Sequence, residues 1–172
     1  MRLLIFVLAL LLSACSPGLN WREVRTEPDG VRLLLPCKPD RGSRVVPFAG
    51  RDTELSLTGC DAAGLTFALA SARLTDTTQA DAVLAQWRTL TLAHVAAADA
   101  RTRPQRPQGA LDLPQSLRAS ASGRAPSGAA VQSETMYFAY GDRVYQAVVY
   151  GPRRDAVFDE ASDTFFTSLR LR

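Results

Sequence analysis

The order in which the hydrophobic period changes along this chain restricts its fold more than any single residue does. Thr53 to Gly59 alternates, with Leu55 and Leu57 on one side and Glu54, Ser56 and Thr58 on the other. Asp61-Ala62-Ala63-Gly64 reads as a turn. Leu65 to Leu74 then alternates again, with Leu65, Phe67 and Leu69 opposite Ala68, Ala70 and Ala72. Period two sends successive side chains to opposite faces of a sheet, so one face carries bulk and the other small or polar groups. From Thr75 to Ala100 the period becomes helical: Ala80, Val83, Leu84, Trp87, Leu90, Thr91, His94 and Val95 share one stripe. Thr78-Gln79-Ala80-Asp81 has the spacing of a capping box at its start. Alternation returns over Leu117 to Gly123 and Val131 to Tyr140. A last helical stripe, Phe158, Ala161, Phe165 and Leu169, follows Asp155. These periods predict a single α+β domain. An antiparallel sheet of about six or seven strands packs with two main helices, at about 77–99 and 155–168.

Local signals refine that outline. Trp21 to Val24 reads as an edge strand, Asp29-Gly30 as a tight turn, and Val31 to Leu35 as a strand stopped by Pro36. Lys38 to Ser43 reads as polar loop, and Arg44 to Phe48 as a short strand. Arg101 to Ala110, with three arginines and two prolines, reads as a solvated connector. Gly141-Asp142 is a two-residue hairpin loop with glycine first, as a type II′ turn prefers. Its register pairs Tyr140 with Arg143, Phe138 with Tyr145, Met136 with Ala147 and Glu134 with Val149 on an apolar face. Tyr137 with Gln146, Thr135 with Val148, and Ser133 with Tyr150 form the other. Glu134 is the odd member of the apolar face, and a buried arginine partner is expected for it. Tyr137, Gln146 and Tyr150 are a candidate binding face if no helix covers them, and core if one does.

Ahead of the domain, Met1-Arg2 precedes an unbroken apolar run from Leu3 to Leu12, then Ser13-Ala14-Cys15. A positive start, a short apolar stretch and small residues make a secretory signal. Ten residues give only about 15 Å of helix against roughly 30 Å of hydrocarbon. Leu12-Ser13-Ala14-Cys15 closely resembles the lipobox of bacterial lipoproteins. The resemblance implies a signal peptide at 1–14 and a lipidated Cys15 that anchors the chain to a membrane. It also implies a tether at 15–20 and a domain at 21–172. Ser16 resembles the residue of the outer-membrane class, with aspartate there marking inner-membrane retention. An ordinary signal peptide with an accidental cysteine is the competing reading.

An oxidising compartment makes the other two cysteines, Cys37 and Cys60, informative. Both end apolar segments, and a bridge would close a loop of about 24 residues, worth roughly 3 kcal/mol in the chain-entropy model. A zinc site needs more ligands, and a redox pair favours closer spacing. Charge excludes another class. The net charge of +3 falls by one without Arg2, and 20 basic against 17 acidic residues argues against nucleic acid as a partner.

Gly30-Val31-Arg32-Leu33-Leu34-Leu35-Pro36, and Gly141-Asp142-Arg143-Val144-Tyr145-Gln146 leading into Phe158, Ala161, Phe165 and Ser168-Leu169-Arg170-Leu171, resemble segments of the PsbP/Mog1-like family. That resemblance implies an α/β/α sandwich and accessory or binding roles; it carries over no functional residue. Catalytic signals are sparse. His94, the single histidine, sits on an apolar stripe as a partly buried core residue would. Neither a nucleophile elbow nor a phosphate loop is present. Among the carboxylates, spacing selects no pair from Asp76, Asp81, Asp112 and Glu134. No cofactor or metal is expected. The expectation is a non-enzymatic module of the envelope that binds a protein or glycan. A carboxylate-dependent hydrolase of envelope material is the alternative.

Overall fold

The computed structural model describes residues 18–48 and 50–171. The signal peptide expected at 1–14, Cys15 and Ser16 lie outside the described residues. The domain is α+β and mostly sheet. Its strands are β1 (Arg22–Arg25), β2 (Arg32–Leu35), β3 (Asp40–Phe48), β4 (Arg51–Ala62) and β5 (Leu65–Arg73). A 3₁₀ turn (Thr77–Gln79) and α1 (Ala80–His94) follow. Then come β6 (Asp99–Pro104), β7 (Leu117–Arg124), β8 (Ala130–Tyr140), β9 (Arg143–Gly151) and α2 (Ala156–Thr167). Seven strands make one antiparallel sheet in the order β3-β4-β5-β9-β8-β7-β6, while β1 and β2 pair separately. The expected edge strand at Trp21 to Val24 is thus part of a second, small sheet. Main-chain bonds between Arg32 and Arg170 and the Leu34 N–H to Ser168 Oγ bond (2.8 Å) tie that sheet to the end of the chain.

The β8–β9 hairpin has the expected register at every pair from Ser133 with Tyr150 to Tyr140 with Arg143. Gly141 takes φ 59°, the positive value that the first turn position demands, whereas Asp142 keeps a negative φ. A two-residue turn leaves no slack, so the hairpin aligns all later packing.

Both sheet faces are covered. On the first, α2 and the β1–β2 pair bury Phe67, Leu69, Met136, Phe138, Tyr145 and Val149. On the second, α1 lies over Ala70, Ala72, Leu117, Ala119, Tyr137 and Val144, where the small alanines admit it closely. This corrects the candidate binding face. Tyr137 is 1% exposed and Gln146 8%; Gln146 Nε2 donates to Thr91 Oγ1 on α1 at 2.6 Å. Burial pushes the Tyr137 phenol up, with hydroxyl and amide hydrogen bonds opposing it. Tyr150 is half-buried at the end of the same face, and burial followed by the nearby Tyr137 pushes it up to about 12. Tyr137 and Gln146 are core under a helix, because the alternating small residues that looked like an open surface are what let α1 settle.

Other boundaries also move. α1 is shorter than its stripe. Asp76 caps the 3₁₀ turn through Thr78, Gln79 at the helix start has no side-chain cap, and Asp81 accepts instead from the Gln115 N–H (2.9 Å). At the other end Ala96 takes φ 41°, which stops the helix; Leu90 and His94 on the last turns are exposed. The expected loop at Lys38 to Ser43 is strand from Asp40, and the expected connector from Arg101 is strand from Asp99 to Pro104. Both are edge strands exposed along most of their length, so burial imposes no alternation on them, and each tolerates a proline. Cys37, just after β2, stands at disulfide distance from Cys60 on β4, with Cα atoms 6.0 Å apart.

Candidate functional site

The first face changes character toward β6. Ladder pairing sets Arg103 beside Arg118, Arg101 beside Ser120, and Asp99 beside Ser122. The next strand adds Met136, Glu134 and Gln132 to those rows. Period two therefore lays a polar floor over β6, β7 and the start of β8. Helix α2 borders this floor with Asp159 and Asp163, while its Phe158, Phe165 and Phe166 turn into the core.

Arg118 is the centre of the arrangement and is 3% exposed. Its Nε donates to Glu134 Oε2 at 2.6 Å and its other arm to Asp163 Oδ1 at 2.8 Å. The guanidinium lies 4.5 Å above the Phe166 ring, a cation–π distance. Arg154, from the segment between β9 and α2, reaches Glu134 Oε1 at 2.8 Å and Asp159 Oδ1 at 2.9 Å, with Phe158 5.7 Å beneath. Glu134, 4% exposed, thus has one guanidinium on each oxygen. The arginine partner expected for Glu134 is present twice. Arg118, Arg154 and Asp163 escaped sequence reasoning, although Arg118 lies only one ladder row from Glu134 on the same face.

Above this network lie two adjoining hollows of about 440 and 340 Å³ that share Arg101, Ser120 and Arg154. They form one groove along the β6 edge. At its rim Arg101 is exposed and 3.9 Å from Asp99. Arg103 is exposed and has no ion-pair partner among the described residues. The aromatic rings at the groove base lie under the guanidinium groups, so no ring face is open to stack on a sugar.

The carboxylates considered as acid–base candidates do not converge. Asp76 holds the Thr78 amide, Asp81 the Gln115 amide, Asp112 pairs with Arg106 (2.9 Å), and Glu134 is clasped as above. Among the described residues, no three His, Cys, Asp or Glu side chains are grouped to hold a metal ion. No helix of the described residues is long and apolar enough to cross a membrane. No family model matches this chain, and neither does any curated protein.

Proposed function

We propose that the chain is a lipoprotein anchored through Cys15 to the periplasmic face of the bacterial outer membrane, serving the envelope as a non-enzymatic binding or assembly module. The lipobox resemblance and the cysteine pair support the location. The observation that carries the binding role is the β6 edge: all six of its residues are exposed, and Arg101 and Arg103 stand on the side of the groove. An edge strand presents unpaired main-chain N–H and C=O groups, which an extended peptide can pair by joining the sheet. Guanidinium groups beside it favour carboxylates on that peptide, in bidentate geometry. The partner of best fit is an extended acidic segment of an envelope protein. Without an open ring face a glycan fits less well.

The hydrolase alternative asks one carboxyl to hold a proton for a leaving group. Glu134, the best placed, has both oxygens occupied by guanidinium donors. A photocrosslinking residue on β6, at Thr102, tests the binding reading in intact cells. A discrete protein adduct is expected, and it should vanish when Arg101→Glu and Arg103→Glu are combined, with Tm unchanged because both side chains are exposed. An adduct that survives the double charge reversal rejects the β6 site.

A further inference from the structure

The chain enters the domain at one definite end. A Cβ on Gly18 would stand 3.4 Å from Ala63 in the turn between β4 and β5. Leu19 and Trp21 pack against the core, and the Asn20 N–H donates to Pro36 O at 2.8 Å. The very next residue, Cys37, is the one at disulfide distance from Cys60 near that end of β4. Gly18 therefore lies beside the β4–β5 turn, next to residues fixed by packing and by the Asn20 bond. Three peptide units separate Cys15 from Gly18, a span of at most about 11 Å.

The opposite end of the sheet is far away. β4 runs twelve residues from Arg51 to Ala62, which makes about 37 Å of strand. At its far end lie the β3–β4 turn and the β8–β9 turn, where Arg143 meets Asp29 at 3.7 Å. β1 leads the chain from the near end toward that far end.

We propose that the β4–β5 turn and the Pro36-Cys37-Lys38-Pro39 segment rest on lipid headgroups, with the β3–β4 turn held away from the bilayer. The proposal rests on lipidation of Cys15. The near end is slight, with small Ala62, Ala63 and Gly64 at the turn; exposed Lys38 there is offset by exposed Asp40 and Asp61, so the length of the tether and not charge carries the orientation. The short tether keeps the near end at the surface, and the length of β4 separates the far end from it.

The test uses the full lipoprotein in vesicles carrying clickable phospholipid, with a benzophenone side chain at exposed Ala63 or at exposed Asp52 beside the β3–β4 turn. Flotation of the wild type, and its loss in Cys15→Ala, establishes the anchor first; a chain that never floats removes the anchor and this orientation with it. In floating protein, strong lipid adducts are expected at position 63 and little or none at 52. Equal adducts at both positions, or adducts at 52 alone, overturn the orientation while the anchor stands. A second variant carries twenty Gly and Ser residues inserted after Ser16, a linker of about 25 Å r.m.s. length. The contrast between 63 and 52 should then collapse; its persistence overturns the tether as the cause.

Discussion

Glu134 occupies a ladder row with Val149 and Phe67, so its charge has to be met inside the protein. Arg118 meets it in a buried pair. Removing Arg118 leaves Glu134 Oε2 without its donor and the buried carboxylate with Arg154 alone, which is part-exposed. Arg118→Met should therefore cost about 3 kcal/mol, the lower end for breaking a buried pair, read as the shift in a denaturant midpoint at constant slope. Combining Arg118→Met with Glu134→Leu should recover most of that loss, since apolar replacements of buried pairs are often neutral. A double variant as unstable as the single one would show that the pair is not the cause. Asp155 makes a different kind of contribution. It accepts the Phe158 amide at 3.0 Å as the cap of α2, and that bond, followed by Arg153, holds its carboxyl below its ordinary value of 3.8. A carboxyl depressed in the folded state stabilises above its unfolded pKa and loses that effect as pH falls through the folded value. The Tm gap between wild type and Asp155→Ala should be full at neutral pH and close as pH drops below 3.8. A gap that stays constant through acid pH refutes the linkage.

At the scale of elements, the close docking of α1 against β7 depends on a missing side chain. The Val95 carbonyl at the end of α1 lies where a Cβ on Gly123 would be, and it accepts the Arg124 amide at 2.7 Å. Main chain cannot yield as a flexible side chain does. Gly123→Ala should cost about 1–3 kcal/mol by forcing the helix end off the strand, with faster hydrogen exchange at Val95 to Ala98. A wild-type melting curve for this variant would show that the α1 end is looser than its packing indicates. The two edges, β3 and β6, stand in contrast. Little is packed on them, which is why both carry arginines and prolines and why β6 is open to a partner.

For the molecule as a whole, the cysteine pair sets the segment after β2 against β4 of the large sheet, close to Gly18 beside the β4–β5 turn. A bond between Cys37 and Cys60 closes a loop with a sequence separation of 23. Replacing both by alanine should cost roughly 2–5 kcal/mol, the range for small secreted domains. Mass spectrometry of protein alkylated without reduction should find both thiols blocked, and a labelled thiol at either position would refute the bond. On the function proposed above, the groove on one flank would receive a partner and the segment that enters at Gly18 would hold position.

Sequence alone determined what depends on neighbours along the chain. Period two and the Gly141-Asp142 turn give the β8–β9 register, because a turn this short leaves one alignment and alternation assigns each residue a face. The stripe Phe158, Ala161 and Phe165 marks α2, and the isolated acid at Glu134 implies a buried cation. The edge strand β6 and the first half of β3, Asp40 to Ser43, were illegible, since exposed residues carry no period, whereas Arg44 to Phe48 reads as strand. Only the tertiary structure decided that α1 covers Tyr137 and Gln146, because a row of alanines is equally compatible with an open surface and with a closely packed helix. It also decided that Arg118, Arg154, Asp159 and Asp163 converge on Glu134 and its neighbours, since that meeting depends on where α2 lies across the sheet, which no local pattern encodes.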